Sequence, residues 1–222
     1  MTLVRHALEL LYPSRCVFCR KVLSPEPRSI CPECLATLPR NTFYPGGLYF
    51  SRCIVPLSYT GPVRDAILRY KFGDMPGYAA HFGPLLAGAI RQEAAGSYDM
   101  ISWVPVSPKR LKQRGYDQAM LLAVSTAEAL GESAVSTLEK TRHTSAQSGT
   151  TSAAERQSNV KDAYRAIAPH KISGKRILLI DDIITTGSTL EEASRALIDA
   201  GAAEVICAAL ARPSEKSKED AI

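Results

Sequence analysis

No run of about 18 apolar residues, the length needed to cross a bilayer, occurs anywhere in the chain. The longest candidate, Tyr78 to Ile90, is interrupted by His81, Gly83 and Pro84, which excludes a membrane-spanning helix there. A secretory layout is missing too: Arg5, His6 and Glu9 punctuate the N-terminal apolar pattern, so cytoplasm is the expected location. There is no internal repeat, which argues against a solenoid. Charge of one sign is not extreme. Twenty-seven Lys and Arg against 22 Asp and Glu give +5, and the sequence pI is near 8.9. That mild excess suits a phosphorylated ligand or nucleic acid and says nothing of fold. What is present is ordinary globular material: 222 residues with 45% hydrophobic content, enough for one α/β domain with a small appendage.

The chain is organised around Ile177 to Thr189, Ile-Leu-Leu-Ile-Asp-Asp-Ile-Ile-Thr-Thr-Gly-Ser-Thr. Four apolar residues predict a strand buried on both faces, ending at Asp181 and Asp182 at the carboxyl edge of a parallel sheet. Ligands bind at such edges in open α/β sheets. Thr185, Thr186, Ser188 and Thr189 supply hydroxyls, and Gly187 lets the backbone turn tightly. The helix that begins at Leu190, Ala193, Ala196 and Leu197 aims its N–H groups and positive dipole end into the same space. The pattern predicts a phosphate cradle. It lacks the Lys of a nucleoside-triphosphatase P-loop. Two adjacent carboxylates would repel a phosphate unless they bind something else, and ribose hydroxyls with Mg²⁺ nearby meet that need.

Cys16-x-x-Cys19 and Cys31-x-x-Cys34 stand eleven residues apart. Two such knuckles supply four thiolates for a tetrahedral structural zinc, with no ligand place left for water. A pair of disulfides is the alternative, disfavoured without a secretion signal. Cys53 and Cys207 sit in apolar runs and read as small buried hydrophobes.

Along the rest of the chain, residues 2–12 show helical spacing up to Pro13, and Pro39 to Gly47 reads as a connector. Cys53 to Tyr59 favours a strand. Gly61 to Phe72 predicts a helix with Val63, Ile67 and Tyr70 inward, and Tyr78 to Ala95 a longer one disturbed at Pro84. Tyr98 to Val106 reads as a strand leading into Lys109, Arg110, Lys112 and Arg114, cations placed to meet a diphosphate. A helix then runs to Leu130 with Gly131 as its stop. Ala134 to Leu138 and Asp162 to Ile167 are expected strands. Lys140 to Asn159 has no periodicity and is expected to be a functional loop. Glu204 to Leu210 is a last strand, and Ser214 to Ile222 a frayed tail. The expected division is 1–45, an N-terminal helix and Cys₄ segment; 46–213, the main domain; and 214–222, the tail.

All thirteen positions of Ile177–Thr189 resemble the phosphoribosyl-diphosphate (PRPP) signature of type I phosphoribosyltransferases. The Cys₄ segment, Val104-Pro-Val, and Arg114-Gly-Tyr-Asp-Gln-Ala119 extend the resemblance to the ComF family, from Cys16 to Arg212. The family is linked to bacterial competence and DNA uptake. The resemblance implies a phosphoribosyltransferase-like parallel sheet flanked by helices beside a small Cys₄ zinc ribbon. It implies that Asp181 and Asp182 hold the ribose 2′- and 3′-hydroxyls and that Thr185, Thr186, Gly187, Ser188 and Thr189 bind the 5′-phosphate. Lys109, Arg110 and Arg114 would face the diphosphate. The loop carrying Thr141, Arg142, Gln147, Arg156 and Asn159 would cover bound PRPP, with Arg142 contributing to catalysis. The family pattern has Asn where this chain has Asp117, so no role is carried over to that position.

The resemblance thus implies transfer of phosphoribose from Mg²⁺–PRPP to an acceptor, with Zn²⁺ as the structural metal. No N-terminal Cys follows Met1, against a complete glutamine amidotransferase. The alternative is a non-catalytic competence protein that keeps the PRPP site and binds single-stranded DNA, for which Arg69, Tyr70, Lys71 and Phe72 offer the cation–aromatic mixture. A third reading, a PRPP-binding regulator like the purine repressors, lacks an evident helix-turn-helix. Oligomeric state is left open, a dimer included.

Overall fold

The computed structural model of the chain describes residues 14–23, 29–40, 44–141 and 162–213. The helix expected over 2–12 and the tail from 214 fall outside the described residues. The knuckles flank a short helix α1 (Pro32–Thr37), followed by strands β1 (Cys53–Ile54) and β2 (Leu57–Ser58). Between these two strands lies Pro56, which cannot donate to a ladder, so one expected strand becomes two. Helices α2 (Gly61–Phe72) and α3 (Ala79–Glu93) lead to β3 (Met100–Trp103). The expected helix at 61–72 forms with Val63, Ile67 and Tyr70 buried. Pro84 does not interrupt α3, whose Phe82, Leu86 and Ile90 are fully buried around it. Tertiary packing outweighs the one backbone bond that proline removes.

Two helices follow, α4 (Pro108–Arg114) and α5 (Gln118–Leu130), the second stopped by Gly131 at φ 80° in the left-handed region. The chain then makes an antiparallel pair, β4 (Leu138–Lys140) with β5 (Tyr164–Ala166). Of the strand expected at Ala134–Leu138, Ala134 bridges Ile101 and the ladder proper starts at Leu138. A short helix α6 (Pro169–Ile172) precedes β6 (Arg176–Ile183), α7 (Ser188–Asp199) and β7 (Glu204–Arg212).

The main sheet is parallel throughout, in the order β1–β7–β6–β3, with β2 also on β7. Alternation along β6 sorts its side chains between two cores. Leu178 and Ile180 join Ile67, Tyr70, Phe82 and Leu122 from α2, α3 and α5 on one face. Ile177 and Leu179 join Leu190, Ala193 and Leu197 of α7 on the other. Burial on both faces explains the unbroken apolar run. Cys53 and Cys207, free thiols, pack side by side in register within the β1–β7 pair.

Candidate functional site

The alternation that builds the core continues into the acids. Asp181 falls on the α7 face and Asp182 on the α2/α5 face, at the carboxyl end of β6. Asp182 meets a lysine directly, and Asp181 does not. Lys71 Nζ, in the last turn of α2, lies 2.7 Å from Asp182 Oδ1, and both side chains are well shielded, at 18% and 13% exposure. On the opposite face Lys140 ends β4 and donates to the Tyr164 hydroxyl at 3.0 Å while lying 4.8 Å over its ring. Burial, then the nearby Arg110, pull the Lys140 ammonium down to about 8, against the pull of Asp181. Asp181 Oδ1 accepts the Asp182 N–H at 2.8 Å. Burial and then repulsion by Asp182 push the Asp181 carboxyl up to about 8, which Lys71 and Lys140 only partly offset.

Directly after the acids comes the hydroxyl turn. Thr186 Oγ1 lies 2.9 Å from Ser188 Oγ and accepts the Ser188 N–H at 3.4 Å. Gly187 precedes α7 at φ 82°, ψ −12°. A β-carbon there would meet the left-handed penalty and also stand 2.7 Å from the Tyr44 hydroxyl. Thr185 and Thr186 are exposed, and Ser188 and Thr189 are half-buried. Tyr44 is stacked with Phe50 and covered by Arg212 at 4.9 Å. Glu191, in the first turn of α7, accepts the Leu48 and Tyr49 N–H groups at 2.8 and 3.1 Å, fixing this segment against the helix.

The basic stretch after β3 forms α4. Ser107 caps its start, and Gly115 at φ 78° ends it. A cleft of about 740 Å³ opens beside it, lined by Lys71, Phe72, Asp74, Arg110, Lys112 and Arg114 among others. Arg110 and Arg114, one turn apart, share this face; Lys109 is exposed and does not line the cleft. The Arg114 guanidinium lies 4.7 Å over Phe72 and donates from Nη1 to Gln118 Oε1 at 2.9 Å. Asp117, to which no role had been carried over, is a double acceptor: Oδ1 takes the Met120 N–H and Oδ2 the Val106 N–H. It caps α5 and ties the loop after β3 to it. An amide could take only one of those two bonds with its oxygen.

The cation–aromatic stretch at 69–72 divides. Arg69 Nη2 donates to the carbonyls of Val17 and Phe18, Tyr70 is buried, Lys71 is held by Asp182, and Phe72 alone stands out at 68% exposure. Lys71, Lys140 and Tyr164 belong to the site although no motif marks them. Arg142, Gln147, Arg156 and Asn159 lie outside the described residues.

In the N-terminal segment the thiols of Cys16, Cys19, Cys31 and Cys34 converge, all within 4.8 Å of one another. Zn–S bonds of about 2.3 Å put tetrahedral sulfurs about 3.8 Å apart, and Cys19 and Cys31 Sγ are 3.7 Å apart. Backbone N–H groups of Cys31 and Cys34 point at the Cys16 and Cys31 sulfurs at 3.4 and 3.3 Å, as thiolates require. The donor set fits a closed structural zinc. Besides the Arg69 bonds, Phe18 packs on Phe82 and Arg20 donates to the Tyr78 hydroxyl at 2.7 Å, fixing the cluster to α2 and α3.

Known families match both ends. The profile of the phosphoribosyl transferase domain matches residues 117–222, and that of the double zinc ribbon domain residues 7–44. Competence protein F of Haemophilus influenzae is 34% identical over 161 residues, 69% of each chain. DNA utilization protein YhgH of Salmonella typhi is 30% identical over 213 residues, 91% of this chain and 92% of its own. The chain belongs to the ComF family. The cysteine cluster is thus that of a zinc ribbon, and the sheet with its acidic strand end is that of a phosphoribosyltransferase domain. Among solved structures, the glutamine PRPP amidotransferase from B. subtilis aligns at 28% identity with a TM-score of 0.42, over 60% of this chain and 26% of its own. At that score it adds nothing to the family match.

Proposed function

We propose that this ComF-family chain binds Mg²⁺–PRPP at the carboxyl end of β6 and transfers its phosphoribosyl group to an acceptor, in the service of competence or DNA utilisation. The observation that carries the reading is the sequence of chemistry at one sheet edge. Asp181 and Asp182 are followed without a gap by the hydroxyl turn and the start of α7. Ionised carboxylates accept hydrogen bonds from vicinal sugar hydroxyls, and the turn with the helix start meets a 5′-phosphate. In this reading Thr185 to Thr189 hold that phosphate. Arg110 and Arg114, on the cleft side of α4, meet the diphosphate, with Lys109 as an outer charge. Arg142 would act from the loop that covers the sugar.

In the transfer, the bond from the anomeric carbon to the diphosphate oxygen breaks, and the diphosphate leaves with the electron pair. A bond from the acceptor's nucleophilic atom forms at the same carbon. Cations on the departing oxygens stabilise the charge that develops there, and Mg²⁺, arriving with the substrate, shares that load. Calorimetric titration of Mg²⁺–PRPP into zinc-replete protein tests the reading against an Asp181→Asn/Asp182→Asn double variant. Binding by wild type and its loss in the variant is the expected result; no binding by the wild type would sink the reading.

A second reading has its own observation. Phe72 stands exposed beside Arg110, Lys112 and Arg114 in one cleft, an aromatic platform among cations of the kind that single-stranded DNA uses. The relatives' names point the same way. Affinity for DNA built on phosphate contacts falls steeply with salt, whereas a transferase releases diphosphate only when its acceptor is present.

A further inference from the structure

We propose that Lys71 is a shuttle between two stations: Asp182 in the empty protein, and an oxyanion in the cleft beside α4 once sugar hydroxyls have taken Asp182. The inference rests on the reading of Asp182 as a sugar-hydroxyl acceptor. Three observations carry it. The Lys71–Asp182 contact is short and shielded, so the carboxylate oxygen that a hydroxyl would use is already occupied by an ammonium. The same lysine lines the 740 Å³ cleft with Arg110, Lys112 and Arg114 against a single acid, Asp74. And Arg114 is pre-set for an anion. Its guanidinium is flattened on Phe72 and anchored through Nη1 on Gln118, and among the described residues its remaining N–H groups make no other hydrogen bond.

The physical sequence follows from charge and reach. A hydroxyl that takes Asp182 Oδ1 displaces an ammonium that has little water around it, and a shielded cation without a partner is strongly disfavoured. Lys71 hangs on a flexible four-carbon stem at the C-terminal end of α2. The nearest cation-lined space open to it is the cleft, where an oxyanion supplies the missing partner. The ammonium also acts at longer range on Asp181 and Tyr59. Asp181 is the competing station, but on the opposite side of the strand. Sugar at the acids and oxyanion in the cleft therefore bind cooperatively. Lys71 acts on the reaction through the position it takes, as a positioning residue.

The probes are ribose 5-phosphate for the acids and inorganic diphosphate for the cleft. Diphosphate is titrated calorimetrically with and without saturating ribose 5-phosphate. The wild type should bind diphosphate at least about fivefold tighter with the sugar present, the lower end of ordinary coupling between sites. Lys71→Met should bind each probe but show no coupling, and Lys71→Arg should restore part of it. Arg114→Ala should weaken diphosphate binding in both arms, which places it in the cleft. Asp182→Asn, which frees Lys71 without any sugar, should bind diphosphate alone as tightly as sugar-loaded wild type. Coupling that survives in Lys71→Met, or Asp182→Asn binding diphosphate no tighter than wild type, overturns the shuttle while leaving the sugar site standing. Ribose 5-phosphate failing to bind wild type overturns the sugar reading instead, and Asp182→Asn then decides whether Lys71 serves the cleft.

Discussion

Replacing Asp181 by Asn should make the protein more stable, by an amount that grows as pH rises from about 4 and is complete by about pH 8. In the folded chain, burial and then the adjacent Asp182 raise the Asp181 carboxyl from an ordinary 3.8 to about 8. In the unfolded chain it returns to the ordinary value. Between about pH 4 and pH 8 the folded state thus holds a proton that the unfolded state has released. Stability from this group is fully present below that window and is lost as pH rises through it. Each unit is worth about 1.4 kcal/mol, so the whole shift sets a ceiling near ~6 kcal/mol. Asp181 keeps partial contact with solvent, which screens the effect, so we expect on the order of 2–3 kcal/mol. Asn has the same shape and cannot ionise. Urea unfolding of zinc-replete wild type and Asp181→Asn should give near-equal midpoints at pH 5. At pH 8.5 the variant should lead by about 1 M, for a slope of about 2–3 kcal/mol per M. Because hydroxyls donate to the ionised form, Mg²⁺–PRPP affinity of the wild type should rise across the same window. Midpoint differences that do not change with pH would refute the reasoning, since the acid would then be ionised at no cost in the fold.

Three further outcomes are expected. Cys34→Ser should lose bound metal by elemental analysis and lower the melting temperature, because a closed four-thiolate site contributes folding energy outright. Arg69→Met removes two bonds from a charged donor to the Val17 and Phe18 carbonyls. It should cost about 2–3 kcal/mol and render the ribbon sensitive to limited proteolysis while zinc stays bound. Gly187→Ala combines a left-handed φ of 82° with a β-carbon 2.7 Å from the Tyr44 hydroxyl. It should cost at least about 1–2 kcal/mol and weaken Mg²⁺–PRPP binding tenfold or more by calorimetry.

What could be read from the sequence was what contiguous residues encode. β6 announces itself because both its faces are buried, so the apolar run has no gaps. α2 does so because Val63, Ile67 and Tyr70 repeat at helical spacing and are the residues that the fold buries. The knuckles are legible because each brings its two thiols together locally. What stayed hidden depends on pairings far apart in the chain. Lys71 reads as one cation in a cation–aromatic stretch, and nothing in its neighbourhood says that Asp182 will meet it. Lys140 opens a polar loop, and its place over Tyr164 exists only once β4 and β5 pair. Asp117 departs from the family pattern, and its reason, two N–H groups on opposite sides of one carboxylate, is visible only in three dimensions.

The acids carry the argument further. Consecutive residues of a strand point to opposite faces, so Asp181 and Asp182 cannot both face one ligand from the middle of a sheet. They can do so only where the strand ends and a ligand can lie across its edge. At that position one ammonium, Lys71, acts on both acids but touches only Asp182. Asp182 holds Lys71 directly, and Asp181 feels Lys71 and, from the layer on its own side, Lys140 at longer range. A pair of carboxylates kept in place by cations from two different layers is a poor device for stability, because each charge is removed from water for an incomplete partner. The sheet keeps it where a sugar with two adjacent hydroxyls would lie astride the edge, and that is the best physical reason for assigning such a ligand to it.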